Sequence, residues 1–345
     1  MLSTKPVDNI KLPKIIAIVG PTASGKTDLA IKIALRLRSG QARKLGIKGA
    51  EIVSADSRQV YKGMDIGTGK VTKKGMTGIP HYLSDVASPQ RTFTVAQYQK
   101  LATAAIKKIL SRDKLPIIVG GTGFYIDTLL YNYNLPSVKP NPRLRHALEK
   151  KSAEELFDKL KSLDPGRAET IDSRNKVRLV RAIEIVLATK KPVPKITLWQ
   201  TQGEPQYSFL KIGIKLTDAE LKKRIEKRVG IMIKKGLVDE VKKLVKKYGY
   251  KQIAFDAIGY REIINYLAAD KRRLKTQINA HNISVNQRSN LRESARDLEE
   301  VMEEIKRNTT SFAKRQMTWF RKDKEIKWVR KEKEAFRLAK TFLSE

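Results

Sequence analysis

Along the first part of the chain, short apolar runs alternate with longer amphipathic stretches. Ile15-Ile16-Ala17-Ile18-Val19 has no polar position and reads as a buried strand. Asp28 to Leu37 follows and reads as a helix. Glu51-Ile52-Val53-Ser54 reads as a second strand, ending in Asp56, and Ala96 to Leu110 as a helix. Pro116-Ile117-Ile118-Val119 reads as a third strand, ending in Gly120-Gly121-Thr122-Gly123. This alternation predicts an α/β fold, a parallel sheet flanked by helices. In such sheets ligands bind beyond the carboxyl ends of the strands.

The second half is more helical. Pro136, Pro140 and Pro142 mark a boundary, and a helical stretch runs from Arg143 to Thr189. Within it Leu179, Val180, Ile183, Val186 and Leu187 recur at helical spacing, with Arg174, Arg178 and Arg181 on the other side. Pro192 and Pro194 then interrupt the chain. Residues 141–200 therefore read as a helical insertion domain, and 1–140 with 201–345 as the core domain. Ile212, Ile214 and Leu216 alternate, so a strand returns to the sheet. Thr217 and Glu220 form a capping box. The helix they open turns Leu221, Ile225, Val229 and Met232 inward and keeps Arg224 and Arg228 on a common face. Gly236 and Gly249 read as helix ends. A last long helix carries Leu291, Ala295, Leu298, Met302 and Ile305 on its buried side, giving a helix-rich C-terminal part. Residues 39–49 read as a polar surface loop, and there are no internal repeats.

Hydrophobic residues make up 41% of the chain, enough for a packed core rather than a disordered polymer. The formal charge, 71 − 36 = +35, exceeds what solubility requires and points to a polyanion, nucleic acid first. Pairs such as Lys242-Lys243 and Lys246-Lys247 read as solvated helix faces, so arginine clusters carry more of that argument. The absence of cysteine excludes disulfides, cysteine-built zinc sites and thiol nucleophiles. Met1 to Leu12 lacks the apolar core of a secretion signal, and no run approaches the length of a membrane span. A cytoplasmic protein with no membrane partner is expected.

The most specific chemistry is in Gly20, Pro21, Thr22, Ala23, Ser24, Gly25, Lys26 and Thr27, which fit G-x-x-x-x-G-K-[ST] between a strand and a helix. Backbone N–H groups and the positive helix end there hold an anion with two or more phosphates. Lys26 adds a point charge, and Thr27 offers a hydroxyl to Mg2+. Asp56 reads as a metal-holding carboxylate, a general base or a turn cap. Ser57, Arg58, Gln59, Val60 and Tyr61 set polar and aromatic groups beside it. Gly120-Gly121-Thr122-Gly123-Phe124-Tyr125 is a second glycine-rich loop, either a tight turn or a hydroxyl donor through Thr122. Phe312 to Arg321 mixes cations with aromatics. That suits unpaired RNA bases, and equally a helix with its aromatics in the core.

Taken together these stretches resemble the tRNA dimethylallyltransferases (tRNA isopentenyltransferases) of bacterial type over nearly the full length. The resemblance rests on Gly20 to Thr27, Ser54 to Thr68, Gly78-Ile79-Pro80-His81, Val119 to Tyr125, Arg178 to Glu184, Ile258 to Arg261 and Ala313 to Arg321. It implies Mg2+-dependent transfer of a dimethylallyl group from dimethylallyl diphosphate to N6 of the adenine 3′-adjacent to the anticodon. It implies Asp56 as the base, with Thr122, Lys26 and Arg228 at the reacting groups and Mg2+ on Thr27. It further implies tRNA contacts from Asp56, Ser57, Arg58, Gln59, Thr122, Arg145, Val177, Arg178, Leu179, Val180 and Arg181. More come from Asp256, Ala257, Ile258, Gly259, Tyr260 and Arg261. The tail would add Lys314, Arg315, Gln316, Met317, Thr318, Trp319, Phe320 and Arg321. Thr309-Thr310-Ser311 departs from the Thr-Arg-Gln that relatives often carry, and the 39–49 loop is longer than usual. A monomer is expected. Rival readings are a phosphate-loop kinase using ATP, an RNA-binding ATPase or scaffold, and an isopentenyltransferase acting on free adenine nucleotides.

Overall fold

A computed structural model describes residues 12–38, 46–194, 206–279 and 298–345. Leu291 and Ala295 of the expected long helix, residues 39–45 of the polar loop and residues 195–200 of the insertion lie outside these. Contacts divide the chain into two compact units, Met1–Tyr131 with Pro205–Glu345, and Asn132–Glu204.

The first unit is built on one parallel sheet of six strands in the order β3-β2-β4-β1-β5-β6. The strands are β1 (Lys14–Val19), β2 (Ala50–Ser54), β3 (His81–Tyr82), β4 (Leu115–Gly120), β5 (Ser208–Ile214) and β6 (Lys327–Val329). Its helices are α1 (Lys26–Arg36), α2 (Val95–Leu110) and α3 (Gly123–Leu130) before the insertion. After it come α8 (Asp218–Lys234), α9 (Leu237–Tyr248), α10 (Tyr260–Asn279), α11 (Leu298–Phe320) and α12 (Glu332–Ser344). β1 is apolar throughout because both of its faces are covered. Ile15, Ala17 and Val19 meet α2 and α3 on one side. Ile16 and Ile18 meet α1 and α12 on the other. Each such fully buried aliphatic side chain stabilises the fold by roughly 1.5–3 kcal/mol. A further layer, α8 to α11, packs over Val60, Tyr61 and Met64 in the loop after β2.

The expected strands are present, and so are the expected helices where they fall on described residues, with shifted ends. α1 begins at Lys26 rather than Asp28, and β5 stops at Ile214, leaving Leu216 in the connection to α8. The Thr217–Glu220 capping box forms as expected, and Gly236 and Gly249 flank α9. β3, β6 and α12 have no counterpart among the elements expected from the hydrophobic pattern.

The second unit holds α4 (Pro142–Glu149), α5 (Ala153–Leu163), the short α6 (Pro165–Ala168) and α7 (Lys176–Thr189). Leu148, Leu156, Leu160, Leu179 and Ile183 form its core. Asn141, at the proline-rich boundary, caps α4 by accepting from the Leu144 N–H at 3.1 Å. Among the described residues no helix is long and apolar enough to cross a membrane.

Candidate functional site

Because every strand runs the same way, the loops that follow β1, β4 and β2 emerge side by side at one edge of the sheet. These loops carry Gly20 to Thr27, Gly121 to Gly123 and Asp56 to Gln59. The Ala55 N–H donates to Val119 O at 2.7 Å and the Thr122 N–H to Ala55 O at 3.2 Å, which locks the second loop to the third.

In the first loop Gly25 caps α1 with φ 91°, a left-handed conformation that glycine adopts without a Cβ penalty. Lys26 opens the helix, and its ammonium donates to Pro21 O at 2.5 Å. Loss of hydration lowers its pKa to about 7, with the Asp56 carboxylate opposing the fall and Arg228 adding to it. Lys26, Asp56 and Arg228 therefore lie within electrostatic reach of one another. Ser24 is buried, and its hydroxyl has no hydrogen-bond partner among the described residues. A buried hydroxyl left in that state is costly and suits an incoming anion.

Asp56 is half-buried at the end of β2. Its Oδ1 accepts from the Arg58 N–H at 2.8 Å and from the Gln59 N–H at 3.3 Å. Both bonds are to one oxygen, so the turn orients the carboxylate and leaves Oδ2 outside them. Thr122 accepts from the Ser57 N–H at 3.0 Å, which joins the second glycine loop to the Asp56 turn. Tyr125 stacks on buried Tyr98 at 4.1 Å between centroids. Burial pushes the Tyr125 phenol up, as do Tyr61 and Asp56, against Arg58. Tyr125 is thus within electrostatic reach of the carboxylate, with Tyr98 behind it in the core.

Helix α8 supplies both of its arginines. Arg224 donates to Ser24 O at 2.8 Å in the phosphate loop, and Arg228 to Thr68 O at 3.0 Å. The segment Asp65 to Thr68 is held from behind by Glu240. Its carboxylate accepts from the N–H groups of Asp65, Ile66 and Gly67 and, at 2.6 Å, from the Tyr260 hydroxyl. The sequence puts Arg224 on the face of Arg228 without a role and gives no sign of Glu240. Nothing near Glu240 in sequence links it to a loop so far away.

The remaining residues expected to touch RNA differ in direction. On α11, Lys314, Arg315 and Thr318 are exposed, as is Arg321 just beyond it, Met317 and Trp319 are half-buried, and Gln316 and Phe320 face inward. Asp256 and Arg261 are exposed and 3.2 Å apart, Ile258 is half-buried, and Ala257, Gly259 and Tyr260 are buried. In the second unit Val177 and Arg178 are exposed, whereas Leu179 and Val180 are in the core. Arg145 and Arg181 both grip Glu184, Arg145 through bonds of 3.0 and 2.7 Å. Burial raises the Glu184 carboxyl, but Arg145, the Asn141 N–H and Arg181 outweigh it and hold the pKa at about 2.

Among the described residues no group of His, Cys, Asp and Glu could cage a metal. The loop itself offers hydroxyl oxygens, that of Thr27 at the start of α1 and that of Ser24. That sparse oxygen set fits Mg2+ held mainly by substrate phosphates and water.

The family model described as IPP transferase matches residues 59–323. A tRNA dimethylallyltransferase of Acetivibrio thermocellus is 41% identical, with 91% of each chain covered. A solved tRNA isopentenylpyrophosphate transferase of Bacillus halodurans is 34% identical with a TM-score of 0.64, covering 96% of this chain and 97% of that one. A eukaryotic dimethylallyltransferase acting on tRNA, 23% identical, has a TM-score of 0.74 over 96% of this chain and 80% of its own, a likeness of fold.

Proposed function

The chain belongs to the IPP transferase family and is an enzyme that prenylates tRNA, and from that premise we propose how its residues divide the work. The donor is dimethylallyl diphosphate, its two phosphates seated on the Gly20 to Thr27 backbone with Lys26 and Arg228 against them. The acceptor is N6 of the adenine 3′-adjacent to the anticodon, extruded from its stack into the site. The observation that carries this reading is the convergence of the phosphate loop, the Asp56 turn and the Thr122 loop at one sheet edge, with Arg224 and Arg228 bonded to Ser24 O and Thr68 O.

The N6 lone pair is delocalised into the ring, so the amine is a weak nucleophile. It attacks C1 of the allyl group as the C1–O bond breaks, and the bonding pair leaves with the diphosphate. Asp56 removes the N6 proton through its Oδ2, while the Arg58 and Gln59 N–H groups keep the carboxylate aimed. Lys26 and Arg228 stabilise the negative charge gathering on the leaving group. Tyr125, backed by Tyr98, would shield the allylic carbon from water. Thr27 would hold Mg2+, which neutralises part of the diphosphate charge when bound. The exposed cations of α11, with Arg178, contact RNA phosphates. Such a substrate implies a cytoplasmic location.

The test is mass analysis of nucleosides from tRNA incubated with the protein and dimethylallyl diphosphate, beside arms given labelled ATP or AMP as acceptor. A prenylated adenosine is expected. Phosphate incorporation into RNA would favour the kinase reading, and prenylated AMP in preference to tRNA the free-nucleotide one. Asp56→Asn should lower transfer by about 10²–10⁴-fold while leaving tRNA affinity unchanged. Unaltered turnover in that variant would remove Asp56 from the mechanism.

A further inference from the structure

Gln316 sits in the most basic stretch of α11, yet its amide is not turned to solvent. Ala313, Gln316 and Phe320 form the inner face of the helix, and Gln316 is 8% exposed. Its Oε1 accepts from the Thr22 N–H of the phosphate loop at 2.8 Å. Its Nε2 donates to Gly121 O, also at 2.8 Å. One side chain thus spans from the loop after β1 to the loop after β4. Glycine at 121 is what admits it, since a Cβ there would lie 2.1 Å from Nε2. One turn further on, the Trp319 indole N–H donates to Asp127 Oδ2 at 2.8 Å, tying the same helix to α3. Thr122 stands at the start of α3, and its hydroxyl, rather than capping the helix, holds the Asp56 turn through the Ser57 N–H. On the opposite face of α11, Lys314, Arg315 and Thr318 are exposed.

We propose that Gln316 is a positioning residue that couples the two substrates: it makes RNA docking on the outer face of α11 and diphosphate binding in the phosphate loop strengthen each other. The proposal rests on the tRNA prenylation described under Proposed function. Its physical basis is that α11 cannot shift under an RNA without moving the atoms that set the Thr22 and Gly121 backbone. RNA that holds α11 in this position therefore holds the loop in its anion-binding shape. The linkage is reciprocal, so diphosphate must tighten RNA by the same factor.

The experiment measures the affinity of the full chain for inorganic diphosphate with and without an anticodon stem-loop RNA. The RNA should tighten diphosphate in the wild-type protein by about fivefold or more. Gln316→Met removes both hydrogen bonds at similar volume. It should bring that ratio to one and raise KM for the prenyl donor by about tenfold with a smaller change in kcat. Gln316→Glu keeps the acceptor for Thr22 but not the donor to Gly121, and should also lose the ratio. It serves as the second variant should the methionine protein fail to fold. A ratio in either folded variant equal to that of wild type overturns the proposal, as does a wild-type ratio of one. Lys26→Ala separates the two levels. If it leaves diphosphate affinity unchanged, the ligand is not in the loop and the functional reading fails with this one. If affinity depends on Lys26 but the ratio does not depend on Gln316, only this inference fails.

Discussion

Lys26 shows how a single ionisable group reports on the site. Its pKa is about 7 in the folded chain against a usual 10.5, because loss of hydration outweighs the pull of Asp56. Above 10.5 the amine is neutral in both the folded and the unfolded chain, and pH has no effect through it. As pH falls, the unfolded chain gains the proton first, so stability is lost across the window and the loss is complete below about 7. A diphosphate reverses this by restoring the charged form. Near pH 8.5 the terminal phosphate of an esterified diphosphate such as dimethylallyl diphosphate is deprotonated, with a second pKa of about 6, so a proton taken up on binding must go to the protein. Calorimetric titration of dimethylallyl diphosphate in two buffers of different ionisation heat should report uptake approaching one proton, and Lys26→Met should take up none. No buffer dependence in the wild-type protein would return Lys26 to an ordinary surface amine.

The end of α11 depends on a buried ionic cluster. Lys211, on β5 and 1% exposed, donates to Asp323 Oδ2 at 2.6 Å and to the Tyr131 hydroxyl at 2.7 Å, with Asp127 Oδ1 at 3.5 Å. Asp323 lies three residues past the end of α11, and Asp127 also accepts from Trp319. Lys211→Met would strand carboxylates out of water, at a cost of about 3 kcal/mol or more. The urea midpoint should fall accordingly. Adding Asp127→Asn and Asp323→Asn should recover most of it, and no recovery would mean that the alkyl stem, not the charge, carries the effect. The same helix marks the limit of what the sequence discloses. β1, β2 and β4 are legible because burial on both faces leaves apolar runs, each ending in a loop with its own chemistry. β6 is not, since only Val329 of Lys327-Trp328-Val329 is buried, and β3 has two residues. Within the site, motif residues are readable, but the tethers are not. Gln316 resembles one more RNA-facing polar residue among lysine and arginine. Only the helical spacing of Ala313, Gln316 and Phe320 signals its inward direction. Glu240 gives no local signal, because its partners are backbone N–H groups far along the chain.

A net charge of +35 on a chain of this size would suit almost any nucleic acid, so charge alone does not say where RNA lies. The structure narrows the choice by separating cations already engaged from those left outward. Arg145 and Arg181 are committed to Glu184, Arg224 to the phosphate loop and Lys211 to its carboxylates. Lys314 and Arg315 stand exposed on the helix that Gln316 anchors to the site. Many of the surplus lysines are exposed on α8 and α9, as Lys242-Lys243 and Lys246 are, and serve as a diffuse field. A diffuse field accelerates encounter but neutralises few particular phosphates. Substituting Lys242 and Lys243 by alanine should therefore leave the dependence of tRNA affinity on salt nearly unchanged. Substituting Lys314 and Arg315 by alanine should lower affinity at every salt concentration. It should also reduce the slope of log K against log salt by about 1.4, taking roughly 0.7 for each single-strand phosphate that is no longer neutralised. Titrations of labelled anticodon stem-loop RNA at several salt concentrations distinguish these outcomes. Equal slopes for the Lys314/Arg315 variant and the wild type would mean that RNA does not lie along α11.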